Sequence, residues 1–382
     1  MSFTQTVKID PRHSTAQDAT PLCFNSSWYD KLADKDRPYI IRIFVETQEI
    51  EIMDVTNKRV FLKRSPYPEL DLTRFAPGNA VTIHGRQHNI IQYANIFTSN
   101  KLSADNEKCF AIIKPHAVKN LKVLSDVVDA LRVNQLSFER IQLSYLERKH
   151  AEFVYSQHQN QSYFTQLVDS LVGNAIFFEI RGFGCIEKFK NIIGPRDPAQ
   201  CAQNQLRKKY GIDQISNAFV SFDTEAQALQ AINYLFQLRP ISAPQVAEKT
   251  VVVILTPQKS AEIIDFILDR TKLSVSGIHA AIPTAADIQE LMISYNGVIP
   301  CYKEYCDRMD DGICIAIEFE GPNAVKEMRE ICGPFDPEIA RVLKPDSVRA
   351  KFGVDIVDNA VFITDIEEEA EIHSDFWFRV VE

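Results

Sequence analysis

Apolar and polar residues alternate along the N-terminal part of the chain, and this pattern predicts a β-sheet with one buried face. Ile50 and Ile52 are separated by a glutamate, and beyond a turn Val60 and Leu62 again lie two residues apart. A period of two places every second side chain on the same face of a strand, so these four residues are expected to share the buried face. We predict a β-meander domain over residues 22–97.

Two stretches farther along the chain have the spacing of an amphipathic helix. Their apolar residues recur at i, i+3 and i+4, which puts them on one helical face: Leu124, Val127, Val128 and Leu131 in the first stretch, and Ile263, Phe266 and Ile267 in the second. Apolar runs at 174–180 and 313–319 predict buried central strands instead, because a strand covered on both faces needs no polar side.

The part of the chain after residue 107 repeats itself. RKKYGIDQISNA at 207–218 returns as RAKFGVDIVDNA at 349–360, and an apolar strand ending in Lys114 returns, at the same spacing, as one ending in Thr256. Each copy has the order strand, helix, strand, helices, strand. This order predicts two domains of ferredoxin-like βαββαβ topology.

The predicted fold class is therefore α+β, with one β-rich domain followed by two tandem copies of a second domain. We place the boundaries as follows: a flexible N-terminal arm at 1–21, the β-rich domain at 22–97, domain A at 107–238 and domain B at 249–382. The Pro/Ala/Ser-rich segment at 239–249 is expected to be a linker. Because it is short and the copies are nearly equal in length, we expect the two domains to pack against each other.

Composition excludes several classes of protein. The 382 residues carry a net charge of −9 with a pI near 5.5, so we expect no binding to nucleic acid or to an anionic membrane. The N-terminus lacks the apolar segment of a signal peptide, and no stretch is long and apolar enough to span a membrane. The eight cysteines form no CxxC pair, so no metal site is expected and the cysteines are interpreted as core residues.

Motifs in both copies are similar to those of nucleoside diphosphate kinases. KPHAV at 114–118, GPRDP at 194–198 and NAFVSFDT at 217–224 resemble the family's first-strand, loop and active-site motifs, and the resemblance extends over 107–238 and 249–382. It implies a ping-pong reaction in which a histidine nitrogen takes a phosphoryl group from a nucleoside triphosphate and passes it to a diphosphate.

The active-site motif is an octet, NAFVSFDT at 217–224 in domain A and NAVFITDI at 359–366 in domain B. Neither copy has the histidine that the resemblance places at the fourth position of this octet. Domain A has Val220 and domain B has Phe362 at that position, and neither side chain has a lone pair that could attack phosphorus. Removing the nucleophile of a serine protease lowers kcat by roughly 10⁶-fold. We therefore predict that the protein is not an enzyme.

No other histidine is expected to take the place of the missing nucleophile. His116 stands in the first-strand motif where the family has an aspartate, which puts it in a loop and away from the arriving phosphate. Ordinary surface or strand positions are expected for the remaining histidines of the three domains: His84, His88, His150, His158, His279 and His373. A residual kinase with an unorthodox nucleophile is kept as an alternative.

The resemblance also implies a nucleotide pocket in domain A. The family's binding residues fall on Lys114, Tyr155, Tyr163, Lys190, Arg207 and Asn217. Tyr163 takes the place of the aromatic ring that stacks on the base, and Arg196 replaces a small hydroxyl residue. No cofactor is required by a non-catalytic protein, and a magnesium–nucleotide complex in domain A is the alternative.

Domain B keeps only remnants of that pocket. Arg329, Arg349 and Asn359 remain, whereas Thr256 stands where the family has its lysine and Cys301 falls at the stacking position. Phe335 replaces the small hydroxyl residue, and Phe362 is expected to fill the space that the histidine would occupy.

The first domain resembles the PH-like DM-ten domain of ciliary proteins, on the segment WYDKLADKDRPYIIRIFVETQEIEIMDVTNKRVFLKR. Its combination with two kinase-like domains implies a structural protein of the ciliary or flagellar axoneme, associated with doublet microtubules as an inner protein. Its expected partners are tubulin and neighbouring axonemal proteins, and its expected location is the cytoplasm, cytoskeleton and cilium. A nucleotide sensor acting through domain A is the alternative function.

Overall fold

The computed structural model describes residues 21–30, 35–68, 70–75, 78–95, 98, 102, 107–134, 136–182, 184–310 and 313–381. The predicted arm at 1–21 lies outside the described residues except for Pro21. The chain divides into two compact units, Met1–Ala104 and Asp105–Glu382, which are described separately.

The first unit contains a six-stranded antiparallel sheet. Its strands are β1 (Leu22–Asp30), β2 (Lys35–Phe44), β3 (Glu49–Asp54), β4 (Arg59–Pro66), β5 (Ala80–Ile83) and β6 (Arg86–Tyr93), in the spatial order β4-β3-β2-β1-β6-β5. Alternate residues such as Phe24, Ile41 and Ile50 are fully buried on one face, which confirms the β-meander predicted from the alternating pattern.

The prediction for Val60 is wrong, because this side chain is 45% exposed while Ile50 and Ile52 are buried. β4 is the last strand of the sheet, and its pairing with β3 shifts register on both sides of Ile52. Such shifts interrupt the alternation of faces, so a period of two in the sequence does not carry across them. Leu62 is half-buried and packs against the core of the unit.

Within the described residues, domain A contributes four strands and seven α-helices to the second unit. The strands are β7 (Lys108–Ile113), β8 (Ser137–Leu146), β9 (Gly173–Arg181) and β10 (Phe219–Ser221). The helices are α1 (Pro115–Val118), α2 (Lys122–Val133), α3 (Arg148–Val154), α4 (Phe164–Asp169), α5 (Cys185–Ile193), α6 (Leu206–Tyr210) and α7 (Glu225–Leu235). The helix predicted from Leu124 to Leu131 and the strand predicted at 174–180 are both confirmed.

Domain B repeats this order. Its strands are β11 (Lys249–Ile254), β12 (Ser274–Ala281), β13 (Cys314–Glu320) and β14 (Val361–Ile363). Its helices are α8 (Ser260–Leu268), α9 (Ala285–Leu291), α10 (Tyr302–Asp310), α11 (Ala324–Cys332), α12 (Pro337–Leu343), α13 (Val348–Phe352) and α14 (Ala370–Asp375). The predicted helix around Ile263–Ile267 and the predicted strand at 313–319 are confirmed.

The two copies share one eight-stranded sheet in the order β10-β7-β9-β8-β12-β13-β11-β14. Numbered within its own copy, each half runs 4-1-3-2 from its outer edge to the junction, which is the ferredoxin-like order. β8 and β12 pair antiparallel through Gln142 with His279 and Ile141 with Ala280. Across the same junction, Lys122 of α2 forms an ion pair with Asp269, just beyond α8, at 2.6 Å. The expected packing of the two copies against each other is confirmed.

The segment expected to be a linker between the copies is attached to the sheet. The amide of Ile241 donates to the Leu143 carbonyl at 2.9 Å, and the Ser144 hydroxyl donates to the Arg239 carbonyl at 3.1 Å. Ala243 is buried and its amide donates to the carboxylate of Glu318. These bonds attach the connection to β8 of domain A and to β13 of domain B, so it contributes to the junction between the copies.

Candidate functional site

The two repeated octets form equivalent edge strands. Val220 of β10 pairs with Ile112 of β7, and Phe362 of β14 pairs with Val253 of β11. The alanine two residues before each of these positions has a positive φ, 69° at Ala218 and 74° at Ala360. A left-handed conformation is unfavourable for a residue with a Cβ and persists only where the surrounding structure holds it. Both copies therefore keep the same strained entry to the strand.

Domain A has a cavity of about 400 Å³ at this strand. Five of the six residues predicted for nucleotide binding line it, together with the residue at the histidine position: Lys114, Tyr155, Lys190, Arg207, Asn217 and Val220. The sixth, Tyr163, is not one of the lining residues. The structure therefore brings five of the six predicted residues together in one cavity.

Lys114 is buried at the floor of the cavity, with 1% of its surface exposed. Its Nζ donates to the Ile215 carbonyl at 2.6 Å and to the Ser170 hydroxyl at 3.3 Å. Burial, followed by repulsion from the nearby Arg207 and Arg196, lowers the pKa of this ammonium group to about 7. A bound anion would reverse this effect because it favours the charged form.

Arg207 holds the octet strand in place. Its Nη1 donates to the Gly194 carbonyl at 2.6 Å and its Nη2 to the Phe219 carbonyl at 2.9 Å. The side chain is 9% exposed and its Nε has no hydrogen-bond partner among the described residues. Burial lowers the pKa of this guanidinium to about 10, so the group is charged at neutral pH.

Asn217 and Lys190 both line this cavity. The Asn217 amide nitrogen donates to the Arg196 carbonyl at 3.3 Å, while its Oδ1 is buried without a partner among the described residues. Lys190 forms an ion pair with Asp223 at 2.6 Å, and both side chains are solvent-exposed. Such an exposed pair is weak, so Lys190 can turn to a bound anion at little cost.

The aromatic side of the site differs from the prediction. Tyr163 is half-buried, with the Arg196 guanidinium carbon 5.4 Å from its ring centroid and the His158 ring 6.0 Å away. The expectation that His158 occupies an ordinary surface position is wrong, because this residue lines the cavity. The sequence signal was available, since His158 follows Tyr155 by three residues and lies on the same turn.

His116 lies outside the cavity lining. It is half-buried in the short helix α1, and burial together with the neighbouring Lys114 lowers the pKa of its imidazole. Its position after the first strand, away from Val220, agrees with the interpretation that it does not replace the catalytic histidine.

Domain B fills the equivalent space with aromatic side chains. Tyr305 is fully buried; its hydroxyl donates to Asn359 Oδ1 at 3.3 Å and its ring centroid lies 5.1 Å from that of Phe335. Phe362 is 2% exposed and packs against the rings of Tyr295 and His373. The exposed Cys301 is not the residue that reaches this space. Tyr305, one helical turn later, does so.

Arg349 and Thr256 of domain B are satisfied by hydrogen bonds within the protein. Arg349 donates from Nη1 to the Gly333 carbonyl at 2.9 Å, and from Nε and Nη2 to the Val361 carbonyl at 3.3 and 3.1 Å. Thr256 donates to the carboxylate of Asp358 at 3.3 Å. Arg329 lines a separate surface pocket of about 590 Å³ that also contains Asp365, Glu367 and Glu368. The structure therefore does not bring Arg329 together with Arg349 and Asn359.

Among the described residues, no group of three or more His, Cys, Asp or Glu side chains is placed to hold a metal ion. The described helices include none that is both long and apolar enough to cross a membrane. Asp223 is the carboxylate among the residues that line the domain A cavity, so a magnesium ion there would have to be held mainly by the phosphates of a nucleotide.

The sequence profile of the family described as Nucleoside diphosphate kinase matches residues 107–241 and 248–382, more than half of the chain. The chain belongs to the nucleoside diphosphate kinase family. It is 28% identical to nucleoside diphosphate kinase homolog 7 of Mus musculus over an alignment of 385 residues, which covers 98% of this chain and 97% of that protein.

Single-domain nucleoside diphosphate kinases match one copy at a time. The protein of Lawsonia intracellularis is 26% identical over 128 residues, 33% of this chain and 92% of its own length. The crystal structure of the Aquifex aeolicus nucleoside diphosphate kinase is 24% identical and covers 34% of this chain and 94% of that one, with a TM-score of 0.33. The two regions matched by the family profile are two nucleoside diphosphate kinase domains, of which domain A has a cavity beside Val220 and domain B has Phe362 buried at the equivalent position.

Proposed function

We propose that this member of the nucleoside diphosphate kinase family is a non-catalytic structural protein of the ciliary or flagellar axoneme. It associates with doublet microtubules on their inner side and contacts tubulin and neighbouring axonemal proteins. The cytoplasm and cytoskeleton are its locations. The resemblance of residues 22–97 to DM-ten domains of ciliary proteins supports this location.

One observation carries the non-catalytic part of the proposal. At the position where the family resemblance requires a histidine, Val220 borders the open cavity of domain A and Phe362 is buried in the core of domain B. A hydrocarbon side chain cannot form a phosphoenzyme, whatever else binds nearby. The fold is therefore retained for its surfaces, because a fold can persist after its original chemistry is lost.

Phosphorylation by radiolabelled ATP or GTP tests the loss of activity. We expect no acid-labile phosphoenzyme and no conversion of GDP to GTP. The residual-kinase alternative is favoured by one observation, the position of His158 on the cavity wall. Activity that a His158→Gln variant abolishes, while a His150→Gln variant does not, would overturn the proposal.

Binding of the full-length protein to doublet microtubules tests the structural role. We expect the protein to co-sediment with doublets that have been stripped by salt extraction, and its density to repeat along their length in averaged images. Recovery of the protein only in the supernatant, at concentrations where a known doublet protein sediments, would contradict the structural role.

A second candidate function is nucleotide sensing by domain A. It is favoured by the cavity itself, which is lined by Lys114, Lys190, Arg196 and Arg207. A ligand that binds only the folded state raises its stability by RT ln(1 + [L]/Kd). Thermal unfolding with millimolar ATP or GTP and Mg²⁺ should show an increase in Tm, and the absence of any increase would eliminate this candidate.

A further inference from the structure

We propose that the domain A cavity recognises the phosphate chain of its ligand and not a nucleobase, so that inorganic triphosphate binds at least as tightly as ATP. This inference rests on the second candidate function, that domain A binds a phosphate-bearing ligand. The ligand class that the cavity selects is a polyanion of linked phosphates, with or without a nucleoside attached.

The charge of the lining favours a polyanion. Lys190 is paired with Asp223, the carboxylate of the lining, so Lys114, Arg196 and Arg207 face the cavity without a lining carboxylate to neutralise them. Each phosphate oxygen that approaches relieves the repulsion between Arg196, Arg207 and the charged form of Lys114. Arg196 increases this charge, since the resemblance places a small hydroxyl residue at its position.

A buried donor points to the same ligand. Arg207 is nine-tenths buried, and its Nε has no partner among the described residues. In domain B the equivalent Nε of Arg349 donates to the Val361 carbonyl at 3.3 Å. An unpaired charged donor inside a protein is costly, so an oxyanion that reaches the Arg207 guanidinium would form a strong, charge-assisted hydrogen bond.

The platform for a nucleobase is covered. Tyr163, the ring predicted to stack on the base, does not line the cavity, and the Arg196 guanidinium lies against it at 5.4 Å. A base would have to displace this cation–π contact before it could stack. The cavity volume of about 400 Å³ is within the range of small-molecule sites, so the discrimination comes from the lining and not from a lack of room.

Calorimetric titration of the full-length protein distinguishes the two ligand sources. Inorganic triphosphate, ATP, GTP and adenosine are titrated separately at one ionic strength. We expect the Kd for triphosphate to be within about threefold of that for ATP or below it, and no detectable binding of adenosine. A Kd for ATP lower by more than that margin overturns the inference while nucleotide binding stands. No binding by any of the four overturns both.

An Arg196→Ala variant tests the covered platform directly. This exposed residue can be replaced with little risk to folding, and its removal uncovers the face of Tyr163. We expect the preference to move toward ATP by roughly tenfold, because base–aromatic stacking becomes available. Arg270→Ala is the matched control, since its guanidinium lies 3.6 Å from the Phe266 ring in domain B. An unchanged preference in Arg196→Ala overturns the inference.

An Arg207→Lys variant tests whether binding occurs in the cavity. It keeps the positive charge and removes the Nε donor and the planar fork. We expect triphosphate affinity to fall by at least about tenfold, with the circular dichroism spectrum confirming the fold. Unchanged affinity would place triphosphate on exposed lysines elsewhere and overturn the inference.

Discussion

The sites beside the octet strands of domains A and B share one hydrogen bond to the backbone and differ in the side chains that fill the space around it. In both, an asparagine amide donates to the carbonyl of the residue at the hydroxyl position, Arg196 or Phe335. In domain B the Asn359 Oδ1 accepts from Tyr305, whereas the Asn217 Oδ1 of domain A has no partner among the described residues. The same polar framework thus encloses a cavity in one copy and a packed core in the other.

The comparison of the two copies indicates which residues of the family's active site are needed for folding. Arg207 and Arg349 each join a glycine carbonyl to a carbonyl of the octet strand, and both arginines are retained. The position of the catalytic histidine makes no such bond, so it was free to become valine in one copy and a buried phenylalanine in the other. Conserved charge at a site can therefore serve the fold as well as a ligand.

Truncation of the two substituted positions should give the largest contrast in stability. We expect Phe362→Ala to lower the free energy of unfolding by about 3–5 kcal/mol, because it opens a cavity against Tyr295 and His373. Val220→Ala should cost less than about 2 kcal/mol, because Val220 already borders open space. Guanidinium unfolding in a Trp28→Phe background, with Trp377 as the remaining tryptophan, measures both. Equal losses would contradict the contrast.

Replacement of the arginine that holds the octet strand should lower the free energy of unfolding by a similar amount in each copy. Arg349→Met and Arg207→Met each leave two backbone carbonyls without their donor, and we expect a loss of about 2–4 kcal/mol in each case. Denaturant unfolding compares the two variants. A loss confined to one of them would mean that the shared framework is not equally important in both domains.

Tyr305→Phe should leave the Asn359 Oδ1 of domain B without its hydrogen-bond donor, which is the state of Asn217 Oδ1 among the described residues of domain A. The ring stays in place against Phe335, but Asn359 Oδ1 loses its donor. We expect a loss of about 1–3 kcal/mol for the unsatisfied oxygen, measured by thermal unfolding. Tyr302→Phe, on the same helix and half-buried, is the control and should be nearly neutral.

The smallest expected effect is the pH dependence of anion binding to domain A. Because burial lowers the pKa of Lys114 to about 7, the lysine is partly neutral at pH 7 and a bound anion returns it to the charged form. Binding therefore takes up a proton, and triphosphate affinity should fall severalfold as the pH rises from about 7 to 8.

The control for this prediction is Lys114→Met, titrated over the same pH range. Other ionisable groups also face the lysine or line its cavity: Arg196, Arg207, Asp213, Tyr155 and His158. These groups and the ionisation of the ligand contribute to the pH dependence of the variant as they do to that of the unmodified protein. The difference between the two pH profiles is the part due to Lys114, and identical profiles would contradict the assignment.

Several features of the fold could be predicted because they depend on local pattern. The helix from Leu124 to Leu131 and the central strand at 174–180 follow from apolar spacing alone, and the repeat at 207–218 and 349–360 established the duplication. The prediction failed at Val60, where register shifts in an edge strand change the exposed face. It also did not place His158 at the cavity, because the lining combines the turn that carries Tyr155 and His158 with residues from five other segments.

By itself the sequence determined that the chain carries two copies of one domain, that Val220 and Phe362 stand at the histidine position, and that domain A keeps more cations than domain B. Only the tertiary structure decided that one pocket is open and the other is filled. The reason is physical: the residues that fill or leave the space, such as Tyr305 against Asn359 and Arg196 against Tyr163, are far apart in the chain. Whether a buried polar atom has a partner is decided by packing, which no local pattern encodes.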